Sequence, residues 1–267
     1  MSTLMDIQQQ KLSKILLIGD SCHDVYSFGK CERISPEAPV PVLRIVKEEV
    51  RPGMVLNVEK NLSNFFEGTI DIRTNKEKII KKRYVENNTK QHMLRVDIGE
   101  EKKLTPMTME EASQINYQEY CCVVISDYDK GYVSHQVAKY ISEKTLASGQ
   151  PLFVDTKKTN LSCYNGAIIK INEHEFKKIK RFQDFGGDLI VTLGPRGAIH
   201  KGQNLTYPTE KVEVFDVCGA GDTFFAGLVY SYLLDRNISE SIKFANKCAS
   251  ISVKKFGTYA IQKGDVA

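Results

Sequence analysis

Val214–Ala226 reads VFDVCGAGDTFFA. Its Gly-Ala-Gly turn, Gly219, Ala220 and Gly221, opens directly into an apolar-periodic helix expected over about Ala220–Leu234. Such a turn leaves backbone N–H groups free at the positive end of the helix, and that is an anion site. Asp222 stands within the first turn. A carboxylate beside a phosphate-binding turn suits a base that accepts a hydroxyl proton while the oxygen attacks phosphorus. A glycine-rich helix start with a capping Asp is the plain alternative, because neither a Walker A motif nor a G-x-G-x-x-G string occurs.

Outward from that stretch, short apolar runs alternate with helix-period segments. Lys14–Gly19 (KILLIG), Cys121–Ser126, Pro151–Asp155, Ala167–Ile171 and Asp188–Leu193 read as buried strands. Val133–Ala147 and Glu173–Phe182 read as helices between them, and Ser239–Phe256, capped by Ser239, as the last helix. This alternation predicts an α/β fold with a doubly wound, mostly parallel sheet covered on both faces. The N-terminal third differs. Ala38–Val50 alternates near period 2 with prolines interleaved, and Ile79–Val85 and Gln91–Ile98 flank a polar turn, so a hairpin is expected. A small antiparallel β lid, from strands at about 38–50 and 79–98, is predicted on a single domain spanning 1–267. The helix Met54–Phe66 lies between its parts.

Composition narrows the function. The chain has 267 residues, 37 Lys+Arg against 33 Asp+Glu, and a formal charge of +4. That charge is too small and too interspersed for a nucleic-acid binder. No apolar run reaches the roughly 18–20 residues that span a bilayer. The N-terminus has no signal-peptide core, and the seven Cys form no C-x-x-C pair, so a cytoplasmic enzyme with reduced thiols is expected.

FDVCGAGDTFFAG resembles the C-terminal signature of the ribokinase/PfkB sugar kinases. Further matching segments are LLIGDSCHDVYSFGKCERISPEAPVPVLRI, RPGMVLNVEKNLS, KKRYVENNTKQHMLRVD, SDYDKG, FVDTKKTN, KINEHEF, VTLGPRGA and FANKCASISVKKFGT. They cover most of the chain. RISPEAPVPV and SDYDKG are most similar to the branch that phosphorylates heptose 7-phosphate at O1. The resemblance implies a ribokinase-like fold, ATP and Mg2+ as cofactors, and a phosphosugar acceptor. It implies that Asp222 is the catalytic base and that Gly219, Ala220 and Gly221 form the anion hole. Asn172 and Glu175 would position magnesium, with Glu175 acting through water; a capping pair is the alternative. Lys157 would contact the ATP phosphates, Thr192, Gly194 and Gly197 would lie under the nucleotide, and Asn246 near its base or ribose. On the sugar side the resemblance points to Asp20, Asp24, Gly53 and Asn57. Arg33 and Arg51 would meet the 7-phosphate, with Lys82 or Arg83 as alternatives, and Lys130 would face the site. Ser35–Pro41 reads as an interface or a closing flap, so a homodimer through the lid is among the expectations.

Three departures stand out. Met54 replaces the second of the family's paired glycines, and Cys218 replaces a small hydroxyl residue. Phe65–Lys78 joins the Asn57 helix almost directly to the hairpin, where relatives place a strand-helix-strand unit of about 30 residues or more. Only the kinase step is expected, since no nucleotidyltransferase unit is legible. A kinase of another sugar or nucleoside, or a non-catalytic binding relative, stays open on the sequence.

Overall fold

The computed structural model describes residues 14–101, 103–179 and 185–266. Its strands are β1 Lys14–Gly19, β2 Ser21–Ile34, β3 Pro41–Met54, β4 Thr69–Thr74, β5 Ile80–Glu86, β6 His92–Ile98, β7 Cys122–Asp127, β8 Leu152–Thr156, β9 Ile168–Asn172, β10 Asp188–Thr192, β11 Ala198–His200 and β12 Leu205–Tyr207. The helices are α1 Val55–Ser63, α2 Met109–Ser113, α3 His135–Ala147, α4 Glu173–Phe176, α5 Ala220–Asp235 and α6 Ile238–Ser252.

Eight strands form the main sheet in the order β12-β11-β10-β9-β8-β7-β1-β4. From β10 to β4 the pairs are parallel; β11 and β12 add an antiparallel edge. Because side chains alternate across a strand, each apolar run feeds both faces. Leu16, Val123, Ile125, Val154 and Ile169 pack under α2 and α3. Ile15, Leu17, Val124, Phe153 and Ile168 pack under α1, α5 and α6. This is the doubly wound α/β layering expected of a ribokinase-like fold, and it delivers the strands' C-terminal ends to one edge of the molecule.

The lid is a separate four-stranded sheet in the order β3-β2-β5-β6. It consists of two antiparallel pairs, β2–β3 and β5–β6, joined by the parallel pair β2–β5. The long strand β2 has no counterpart in the expected elements. Its first half, from Ser21 to Gly29, is buried on both faces apart from half-buried His23, so no period of 2 marks it.

Four further boundaries differ from expectation. Asn237, not Ser239, caps α6, accepting from the N–H groups of Ser239 and Glu240 at 3.0 and 3.2 Å, and the helix stops at Ser252. The expected helix 173–182 is a single turn, Glu173–Phe176, within the described residues, and its last three positions lie outside them. The helix expected over Met54–Phe66 is confined to Val55–Ser63. The short stretch after Phe66 still contributes β4, whose TIDIRT alternation suits a half-buried edge strand.

Candidate active site

The turn at the start of α5 has the form the sequence predicts. Gly219 takes φ +77°, which glycine alone adopts cheaply, and a Cβ there would meet Asn57 Nδ2 at 2.8 Å. No side chain caps α5, and the Ala220 N–H donates to the Val217 carbonyl at 3.3 Å. Asp222, in that first turn, is 4% exposed. Asn57 Nδ2 donates to its Oδ2 at 2.8 Å and the Tyr128 hydroxyl to its Oδ1 at 2.6 Å. Burial pushes the Asp222 pKa up, and the Tyr128 and Asn57 hydrogen bonds and nearby Lys170 oppose that rise.

A small cavity of about 140 Å³ opens at this carboxylate, lined by Asp155, Lys157, Lys170, Glu175, Gly221 and Asp222 among others. It adjoins a cleft of about 940 Å³ in which Asn172, Thr192, Gly194, Gly197, Ala220 and Asn246 line the wall. The structure thus brings together the residues predicted for phosphate and nucleotide. Asn246 is also committed to the fold, donating from Nδ2 to the Tyr207 carbonyl at 2.9 Å. Asn172 and Glu175 form a capping box: Asn172 Oδ1 accepts from the Glu175 N–H at 2.9 Å, and Glu175 Oε2 from the Asn172 N–H at 2.8 Å. The box uses Oε2 of Glu175, and the residue also lines the small cavity.

Sequence reasoning missed the ion pair at the cavity floor. Lys170, 4% exposed, donates to Asp155 Oδ2 at 2.7 Å across the β8–β9 register. A lysine inside the apolar run AIIKI was the available signal. Burial holds the Asp155 carboxyl up at about 6, above the ordinary 3.8, against the pull of Lys170. Burial acts to lower the Lys170 pKa, yet Asp155 outweighs it and the ammonium is raised. Since the folded value of Asp155 is the higher one, its contribution to stability is fully present below the unfolded value and is lost as pH rises through about 6. Asp155→Asn should remove that component. Denaturation midpoints across this window should fall more steeply with pH for wild type than for the variant, and equal slopes would refute the assignment.

The sugar-side expectations divide. Asp24, 4% exposed, forms a buried ion pair with Arg83, whose guanidinium lies 5.2 Å from the Tyr26 ring centroid. Gly53 is pressed against this pair, since a Cβ would stand 2.5 Å from Asp24 Oδ2. Arg51 flanks it, stacked 4.9 Å over Tyr26 and donating to the Phe256 carbonyl at 2.8 Å. Lys81 pairs with Glu100 at 3.3 Å and lies over Tyr128, so Lys81 and Arg83 share the face of β5 toward the site.

Lys82, one residue out of phase, binds Glu48 at 2.8 Å on the opposite face; alternation in β5 corrects that expectation in favour of Arg83. Arg33 is exposed near the far end of β2, nine residues beyond Asp24, or about 30 Å along a strand. It does not join its own chain's cluster. Asp20 is also corrected: fully buried, it accepts from the backbone N–H groups of Lys130 and Tyr132, both at 3.2 Å, and so clamps that loop. The Lys130 ammonium is held by Glu100 at 2.9 Å.

Two departures from the family pattern gain a physical account. Met54 takes φ +56°, a region glycine favours, so the replacement leaves backbone strain at the start of α1. The Cys218 thiol is pushed up to about 11 by burial and by Asp216, which makes it an inert packing group.

Residues 70–263 match the profile of the pfkB family carbohydrate kinases. The bifunctional protein HldE of Nitratiruptor sp. is 34% identical over 292 residues, an alignment covering 91% of this chain and 62% of that protein. HldE of Campylobacter jejuni strain RM1221 is 28% identical over 98% of this chain and 66% of its own length. The chain therefore spans about two thirds or less of these curated relatives. Among solved structures, phosphofructokinase-2 of Escherichia coli superposes with a TM-score of 0.73 at 16% identity, covering 95% of this chain and 96% of that one. Ribokinase of Thermotoga maritima gives 0.70 at 16% identity, over 95% and 98%. These two likenesses bear on the fold. With the glycine turn at the start of α5, its aspartate and the adjoining cleft, the family match leads to one conclusion: the chain belongs to the pfkB family of carbohydrate kinases, phosphotransferases with a hydroxyl acceptor.

Proposed function

We propose that the protein transfers the γ-phosphate of ATP to O1 of a heptose 7-phosphate-like phosphosugar. The observation that carries the reading is the buried Asp222 carboxylate, which lines the small cavity adjoining the about 940 Å³ cleft and accepts from Asn57 of α1, while the Asp24–Arg83 pair lies on the lid. ATP in the cleft would place its phosphates against the amides at the start of α5, with Lys157 and Lys170 beside them. The acceptor would lie under the lid, its reacting hydroxyl against Asp222. Asp222 then takes the hydroxyl proton as the oxygen attacks in line. Catalysis is chiefly positioning and fixed charge. The SDYDKG and RISPEAPVPV segments, and relatives named HldE, support the heptose branch.

Among the described residues, no three His, Cys, Asp or Glu converge to hold a metal directly. Glu175 nonetheless lines the small cavity, and a site with few carboxylates fits magnesium, which keeps its water. Glu175 would hold the hydrated ion, whose charge would neutralise the phosphates. Ile34, Val40, Ile45, Val50, Leu94 and Ile98 are exposed on the lid and support a homodimer formed through it. No helix among the described residues is long and apolar enough to cross a membrane.

The test is ADP release with heptose 7-phosphate, unphosphorylated heptose, ribose, fructose and nucleosides. Heptose 7-phosphate should be preferred. Lys81→Ala should raise its KM roughly 10-fold or more, the scale of a lost hydrogen bond to a charged group, without changing the KM for ATP. Lys82→Ala, on the outer face, should leave both unchanged. Equal kcat/KM for the two heptoses would replace this reading with that of a simple-sugar kinase.

A further inference from the structure

Tyr128 lies just beyond the end of β7, in the loop leading to α3, and the roles described so far do not include it. Its hydroxyl and the Asn57 amide each engage a different oxygen of Asp222, at 2.6 and 2.8 Å. One donor on each oxygen fixes the carboxylate plane and still leaves each oxygen a further acceptor position for an incoming hydroxyl. The face of the Tyr128 ring carries Lys157 Nζ at 4.3 Å from the centroid, and Lys81 of the lid stands at 5.9 Å.

The loop that presents this ring is itself anchored. Asp127 Oδ2 receives the buried Lys158 ammonium at 2.7 Å, the Thr156 hydroxyl at 3.0 Å and the Tyr164 hydroxyl. Asp127 Oδ1 accepts from the Asp129 N–H at 2.9 Å, and its carbonyl from the Lys157 N–H at 3.0 Å. Both neighbours of Tyr128 are thus tied to one buried ion pair. A ring held this firmly, between a carboxylate and a cation, is suited to orienting both.

We propose that Tyr128 is a positioning residue: its hydroxyl sets the Asp222 carboxylate toward the acceptor hydroxyl, and its ring face holds Lys157 beside the transferred phosphate. This rests on Asp222 being the base. The phenol acts only as a donor, because burial and the Asp222 charge raise it well above the ordinary tyrosine range. Its hydrogen bond also draws the Asp222 pKa down against burial. The other charged or titratable groups facing that carboxylate are Lys170 on β9, Asp155 on β8, Lys157 just beyond β8, and Asp24 and Cys22 on β2. Tyr128→Phe leaves all of them in place and keeps the ring.

Tyr128→Phe is expected to lower kcat about 10-fold or more while the KM for ATP stays within about two-fold. The acid limb of its kcat profile should move to higher pH. Tyr128→Leu should also raise the KM for ATP, since Lys157 loses its ring. In free protein carrying isotope-labelled aspartate, the Asp222 carboxyl resonance, identified by its loss in Asp222→Asn, should titrate at higher pH in Tyr128→Phe. That measurement needs no turnover. Wild-type kcat, pH profile and carboxyl titration in Tyr128→Phe, beside an inactive Asp222→Asn, would overturn the role of Tyr128 alone. An active Asp222→Asn would instead overturn the assignment of the base.

Discussion

Replacing Asp222 by asparagine is expected to lower turnover about 10²-fold or more, the usual scale for a lost general base. The substitution keeps the size of the side chain and its place in the first turn of α5. Nucleotide affinity should stay within about a few-fold, because the amides at Gly219–Gly221 and the wall of the 940 Å³ cleft are untouched. Removing a buried carboxylate whose pKa is already raised by desolvation also relieves a cost of folding, so the variant should be no less stable than wild type. Single-turnover ADP formation, measured beside equilibrium nucleotide binding, separates the outcomes. Turnover near the wild-type rate would remove Asp222 from proton transfer, and a parallel loss of nucleotide binding would assign it to the anion hole.

The second large effect is expected at the cavity floor. Lys170→Met should destabilise the protein by about 3–5 kcal/mol, because it strands the Asp155 carboxylate without its partner. Both side chains are deeply set, at 5% and 13% side-chain exposure, and joined at 2.7 Å. Combining Lys170→Met with Asp155→Leu removes both charges and should restore most of that stability, since an apolar pair of similar volume avoids the desolvation cost. It should not restore activity. The Lys170 ammonium lies 3.1 Å from where a Cβ on Gly221 would stand, so it supplies positive charge directly beneath the glycine turn proposed to hold the phosphate. Chemical denaturation of the single and double variants tests the first part. A single variant within about 1 kcal/mol of wild type would mean that water already screens the pair.

These expectations draw on features that were unequally visible in the sequence. The turn at Gly219–Gly221, Asp222 within it, and the Asn172–Glu175 box are local in the chain. Backbone geometry and short-range hydrogen bonding determine them, so residue type and spacing reveal them directly. The buried strands of the main sheet were legible for a related reason: a strand covered on both faces must be apolar along its length.

What sequence alone left undecided depended on faces and partners. The small sheet's register puts Lys81 and Arg83 toward the site and Lys82 away from it, and a one-residue difference in a strand reverses the face. β2 stayed hidden because its first half, inside the lid sheet, is buried on both faces, which erases alternation. The aspartates of GDSCHD look alike in sequence, yet Asp20 meets two backbone N–H groups and Asp24 an arginine on another strand.

By itself, then, the sequence determined the layered α/β body, the glycine turn at the start of α5 and the carboxylate within it, because each follows from periodicity or local backbone chemistry. Tertiary structure alone decided the Asp155–Lys170 pair, the Asp24–Arg83 pair and the Tyr128 contact with Asp222. Those contacts join residues 15, 59 and 94 positions apart. Their geometry exists only once strand order and register have brought separate strand ends to the same edge.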